Sequence, residues 1–139
     1  MTDAFIIDDA DLRNLLIQAR TIAVIGASTN TFRDSNMIMQ YLIKHGYEVI
    51  PVNPKYETVL ERKCYPTLKS IGRQIDIADV FRRSEFMDET ARDAVDAKAR
   101  TLWMQLGIKN QEAARLAAES GLKVVMNRCI MVEHRRLVK

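Results

Sequence analysis

Three cations of this sequence fall in the same kind of place. Arg33 closes a stretch of small polar residues behind the apolar run 22–25, Lys55 follows the run 47–52, and Arg82, with Arg83 beside it, follows the run 75–81. Each run has the length and composition of a strand buried on both faces. Around these cations stand residues that suit a phosphate group. Gly26, Ala27 and Ser28 lead to Arg33 and Ser35; Val52, Asn53 and Pro54 precede Lys55; Phe81 precedes Arg82; and Met104, Gln105 and Gly107 close a fourth apolar run, 101–106. A guanidinium presents a fixed fork of donors that matches a phosphate edge. A glycine turn leading into a helix offers free backbone N–H groups and the positive end of a helix dipole. Together the residues predict a binding site for a phosphate-bearing ligand.

Each component also has a plainer use. Gly26 is an ordinary turn glycine when taken alone, and Ser28 and Thr31 stand where a GxGxxG loop would place its later glycines. Ser28 and the Asn53-Pro54 pair are turn formers as readily as ligand contacts. Trp103 lies inside a strand run and is expected in the core, while His45 reads as a helix-end residue favoured by the dipole.

Catalytic motifs are not found. The sequence holds no GxSxG elbow, no HExxH and no GxxxxGK[ST] loop, and no catalytic residue is assigned. Asp76 and Asp79 stand at odd spacing in one predicted strand, so they face opposite sides and make no carboxylate pair. Cys129 follows Arg128, which could lower its pKa, but a catalytic thiol is not expected there. With two histidines, two distant cysteines and no metal-ligand spacing, no metal site is expected.

The elements that position these residues alternate. Asp8 or Asp9 caps a first helix carrying Leu12, Leu15, Leu16 and Ala19 on one face. A strand over 22–25 leads through the loop 26–33 to a helix capped by Asp34 or Ser35 and ended by Gly46. A strand over 47–52 stops at two prolines, Pro51 and Pro54, and residues 55–70 read as irregular with one helical turn near 66–70. A strand over 75–81 is followed by a helix capped by Ser84, a strand over 101–106 by a helix capped by Asn110, and a strand over 122–126 by a helix over 127–137. Strands that alternate with helices through short loops predict an α/β domain: a Rossmann-like, doubly wound, mainly parallel five-stranded sheet with helices on both faces. The 139 residues are expected to form one domain, with 1–19 as a covering helix and 20–137 as the core.

Composition narrows the classes. An apolar fraction of 47% and a charged fraction of 28% are those of a soluble globular chain. No apolar run reaches a membrane span, the acidic N-terminus lacks the basic region of a signal peptide, and the expected location is cytoplasmic. The net charge of +3 gathers at a short C-terminal stretch without interleaved aromatics, so nucleic acid is not an expected partner. A homodimer or an unidentified protein partner stays open.

A dinucleotide site for NAD needs an acidic residue at the end of the second strand. Asn53-Pro54-Lys55 stands there instead, which favours NADP or another ligand with a phosphorylated ribose, coenzyme A among them.

The chain resembles the small stand-alone CoA-binding proteins, whose fold is that of the N-terminal CoA-binding domain of the succinyl-CoA synthetase alpha subunit. The segments that carry the resemblance are AVIGAS with Arg33-Asp34-Ser35, YLIKHGYEVIPVNPK, DIADVFRRSE, LWMQLGIKNQEAARLAAESGLKVVMNRC and the terminal EHRRL. The resemblance implies that CoA or an acyl-CoA lies across residues 26–33, 53–55, 81–82 and 104–107. Ser28 and Arg33 would hold phosphates, Lys55 would reach the ribose phosphate, and Phe81 and Arg82 would border the adenine and pyrophosphate. The chain departs from the family pattern at Thr31, where a proline is usual, and at Glu61, where a glycine is usual; these bear on the phosphate loop and on a local turn. The ligases of this kind phosphorylate a histidine in a second domain, and neither His45 nor His134 lies in a matching context, so the resemblance implies binding and not ligation. Two rivals remain: an NADP-binding oxidoreductase module, and a protein-interaction domain with a structural nucleotide and Arg135-Arg136 at its contact surface.

Overall fold

The computed structural model describes residues 4–6 and 8–138. In chain order it runs α1 (Asp9–Gln18), β1 (Thr21–Ile25), α2 (Asp34–Lys44), β2 (Glu48–Val52), a hairpin of β3 (Thr58–Val59) and β4 (Arg62–Lys63), and β5 (Ile77–Val80). It continues with α3 (Met87–Asp96), β6 (Thr101–Met104), α4 (Gln111–Glu119), β7 (Lys123–Val125) and α5 (Ile130–Leu137). The main sheet has the order β2-β1-β5-β6-β7 with every pair parallel, which is the doubly wound α/β fold expected from the sequence. From β1 the chain first winds out to β2, then returns to place β5 on the other side of β1. The carboxyl ends of β1 and β5 therefore part into the crevice where such sheets take their ligands.

Alternation along the strands divides the core between the two faces. Ala23, Ile25, Ala78, Val80, Leu102 and Met104 face α3 and α4. Ile22, Val24, Ile77, Trp103 and Val125 face α1, α2 and α5. The contacts of α3 and α4 are made largely by alanines (Ala91, Ala94, Ala113, Ala114, Ala117), which let the helix backbones come close to the sheet and to each other. Trp103 is fully buried and donates its Nε1–H to the Arg128 carbonyl at 2.8 Å, so it is core, as expected.

Asp8 caps α1 by accepting from Ala10 N at 2.7 Å, and Asn110 caps α4 by accepting from Ala113 N at 3.0 Å. Three local expectations are corrected. Helix α2 is not capped by Asp34 or Ser35; Arg33 occupies the cap position and no side chain caps it. Ser84 opens a 3-10 turn (Ser84–Phe86), and α3 starts only at Met87, because the Ser84 hydroxyl is engaged by Lys109 N at 3.2 Å. Residues 55–70 are not simply irregular. They hold the β3–β4 hairpin, whose two turn residues, Leu60 (φ 51) and Glu61 (φ 62), take the left-handed conformation that turn signals normally assign to Asn-Gly. Beyond the hairpin, Tyr65 bridges in parallel to Val52 and gives its N–H to the Pro51 carbonyl, so edge strand β2 is partly covered. At the opposite edge Phe5 bridges in parallel to Val124.

Asp76 precedes β5 rather than lying in it. Its carboxylate accepts from Arg20 N at 2.8 Å and Thr21 N at 3.1 Å, with Arg100 3.3 Å away. Asp79 is different. It sits between Val24 and Trp103 on neighbouring strands, is wholly buried, and neither carboxyl oxygen has a hydrogen-bond partner. Burial alone drives its pKa well above the ordinary value.

Because the folded pKa of Asp79 exceeds the unfolded value of about 3.9, its favourable contribution is complete below about pH 4 and is lost as the pH rises. Asp79→Asn is therefore expected to gain stability relative to the parent as the pH goes from about 4 to 7, read from urea-denaturation midpoints across that range. Glu61→Gly removes a left-handed side-chain penalty and is expected to add about 1 kcal/mol by the same measurement.

Candidate functional site

Strand β1 ends at Ile25, and Gly26 turns the chain at φ 91. A Cβ built there would stand 3.3 Å from the Phe81 backbone carbon, carbonyl oxygen and Cβ, so the crossing of the two loops leaves no ordinary room for a side chain. The crossing is hydrogen-bonded on both sides. Gly26 N donates to Val52 O at 3.0 Å, and Phe81 N donates to Ile25 O at 2.8 Å.

The loop then holds its shape with side chains in place of repeated glycines. Ser28 Oγ accepts from Asn30 N at 3.0 Å, and Asn30 Oδ1 accepts from Phe32 N at 2.9 Å. Asn36 Nδ2, on α2, donates to the Ser28 carbonyl at 2.8 Å. The loop after β2 is tied on by Asn53, whose Nδ2 donates to Ala27 O at 2.8 Å while its Oδ1 accepts from Lys55 N at 2.9 Å. Behind Asn53, the Cys64 Sγ donates to its carbonyl at 3.4 Å; Cys64 is buried, and burial pushes its thiol pKa up.

Two cavities open around this crossing. The first, of about 500 Å³, lies at the N-terminus of α2. Gly26, Ala27, Ser28, Arg33 and Ser35 line it from the β1 side, with Asn53, Lys55 and Phe81 from the strands beside it. The second, of about 680 Å³, lies on the other side of the loops and is more apolar. It shares Gly26, Asn53 and Lys55 with the first and adds Val52, Pro54 and Arg82 from the expected set. Eleven of the fourteen residues singled out in the sequence thus line one cavity or the other. Met104, Gln105 and Gly107 line neither. Met104 is fully buried in the core, Gln105 is buried with its Oε1 accepting Ile130 N at 3.0 Å, and Gly107 N donates to Asn127 Oδ1 at 2.7 Å. Strand β6 lies beyond β5 from the crevice, which removes its end from these two openings.

The electrostatics are more mixed than the sequence suggested. Asp34 lines the first cavity beside Arg33 and Lys55, and Glu89 and Asp93 line the second. Arg82 is held by α3: Nη1 lies 3.4 Å from Glu89 Oε1 and 3.3 Å from Thr90 Oγ1, and the guanidinium sits 4.8 Å over the Phe86 ring. Burial, with the nearby Glu89 carboxylate, raises the pKa of Asp93.

Several lining residues were missed. Phe32, 95% exposed, stands at the lip of the first cavity, and Tyr56 forms part of its wall. The second cavity gains Pro66, Thr67, Leu68 and Phe86. Tyr56 was within reach of sequence reasoning, since it directly follows Asn53-Pro54-Lys55; the others come from segments that only the fold brings to the crevice. Cys129 lines neither cavity. A third cavity, at the amino ends of the strands, contains Asp76, whose carboxylate is already satisfied by two backbone N–H groups and Arg100. Among the described residues no cluster of metal-ligating side chains occurs, and no helix is long and apolar enough to cross a membrane.

A family model described as a CoA binding domain matches residues 20–135. The uncharacterised protein YneT of Bacillus subtilis (strain 168) is 38% identical over 125 residues, which span 90% of this chain and 93% of that protein. An ADP-forming acetate–CoA ligase (II) of Archaeoglobus fulgidus is 37% identical over 81 residues, 57% of this chain but only 12% of the ligase. Among solved structures, a hypothetical protein from Pyrococcus horikoshii OT3 superposes with a TM-score of 0.92 at 44% identity, over 96% of this chain and 94% of that one.

The crossing at Gly26 yields a direct test. Gly26→Ala places a methyl against Phe81 backbone in a left-handed conformation, and is expected to cost about 1–3 kcal/mol in urea denaturation. A loss below about 0.5 kcal/mol contradicts the crossing as described.

Proposed function

The chain belongs to the CoA-binding domain family, and from that premise we propose that it holds coenzyme A or an acyl-CoA across the β1/β5 crevice. The observation that carries the reading is the uncapped N-terminus of α2, opening on a cavity that also presents Arg33, Lys55 and the Ser28 hydroxyl. Backbone N–H groups without side-chain partners, a helix dipole and two cations form a donor set suited to the pyrophosphate. That Lys55 lines both cavities supports a contact with the ribose phosphate where the ligand passes from one to the other. The second cavity suits the adenosine: Val52, Pro54 and Leu68 provide apolar walls, and the Arg82–Phe86 stack borders it.

The donor set fits binding better than turnover, because it supplies charge, hydrogen bonds and apolar walls. We read the domain as a carrier, sensor or regulatory module for CoA. The ligase activity named for the longer relative belongs to a protein of which this match covers 12%, and it is not part of the reading.

Calorimetry of the purified protein is expected to give micromolar CoA binding, about −8 kcal/mol, with dephospho-CoA weaker. NADP bound more tightly than CoA would replace this reading with the oxidoreductase alternative. Arg33→Ala is expected to remove about 2 kcal/mol of the CoA affinity, the worth of a charge-assisted hydrogen bond.

A further inference from the structure

The first cavity has a wall on the far side from α2, and that wall is Tyr56. Its ring is half-buried and packs against the core cluster that contains Ala27, so the ring is held while the hydroxyl reaches outward. Its backbone is held too: Tyr56 N donates to Asn53 O at 3.4 Å, and Asn53 is itself fastened to Ala27 O. From this footing Tyr56 shares the cavity wall with Ser28, of the loop that faces it.

We propose that Tyr56 is a ligand-contacting residue of this cavity, whose hydroxyl donates a hydrogen bond to a phosphate oxygen of the bound CoA. The proposal rests on the CoA reading above and adds to it a further contact to the pyrophosphate.

The surroundings of the phenol support this contact. Tyr56 lines the same cavity as Ser28, Arg33 and Lys55, the groups suited to a phosphate. Hydrogen bonding from Ser28 and from Thr29, with the charge of Lys55 adding to it, holds the Tyr56 pKa below the usual tyrosine value. A more acidic phenol is a stronger donor to an anion, and an O–H···O⁻ bond is stronger than a neutral one. The other charges on the cavity wall are Arg33 and Asp34, at the opposite end of the loop. No covalent step is involved; Tyr56 keeps its proton and donates it.

The site's rigidity makes Tyr56 a fixed contact rather than a lid. The ring need not move far, because Asn53 fixes the distance between its loop and Ala27. Since the contact is to phosphate, CoA and acyl-CoA should feel it equally.

Tyr56→Phe, which keeps the ring and its packing, is the test. Calorimetry with CoA and with acetyl-CoA is expected to show both bound about tenfold more weakly than by the wild type, at an unchanged melting temperature. A second readout is spectroscopic. The tyrosinate absorbance of the wild type minus that of Tyr56→Phe, titrated with alkali, should shift to higher pH when CoA is present, because a bound anion disfavours the phenolate. Tyr47, pushed up to about 12 by burial, stays clear of that transition. Wild-type binding with an unchanged variant and no alkaline shift overturns the role of Tyr56 and leaves the CoA reading in place. A wild type that gives no CoA binding overturns both.

Discussion

The structure depends on one close approach, the passage of Gly26 against the backbone of Phe81. Strands β1 and β5 are neighbours with different partners beyond them, so their exits must diverge, and the loops can cross only where one of them has no side chain. That crossing separates the polar cavity at the α2 N-terminus from the apolar cavity beneath α3, while leaving Gly26, Asn53 and Lys55 common to both. A ligand with an anionic middle and an apolar, aromatic end is matched by this division. The hydrogen bonds from Gly26 to Val52 and from Phe81 to Ile25 make the arrangement part of the sheet rather than an appendage to it.

The two faces of the sheet are held by different means. Alanine-lined α3 and α4 approach closely, and the opposite face is filled by large side chains, Trp103 and Met39 among them, under α1, α2 and α5. It is on this second face that Asp79 is buried without a partner, in the strand that leads to Phe81. A group so costly to ionise, placed two residues before the crossing, makes the centre of the sheet less secure at neutral pH than its apolar packing implies.

Much of this was legible because the relevant physics is local. Continuous apolar runs named the five strands, the caps Asp8 and Asn110 named two helix starts, and Gly26 with Arg33 named the loop. What was hidden depended on partners distant in sequence or on conformations contrary to residue preference. The hairpin was missed because Leu60 and Glu61 take backbone angles usually left to Asn and Gly, and their tertiary setting overrides that preference. Met104 and Gln105 end a strand as the other expected residues do, but strand order, which periodicity does not encode, puts them outside the two cavities. Ser84 carried a capping signal that a contact with Lys109 had already claimed.

The Cys64 thiol, closed behind Asn53, gives the domain a native clock for its own breathing. Shut from solvent and held largely protonated, it reacts with an alkylating reagent only in the moments when the segment covering β2 lifts away. Its labelling rate therefore reports how often the structure opens beside Asn53, which lines both cavities. Any occupant that bridges them should slow that rate without touching the sulfur.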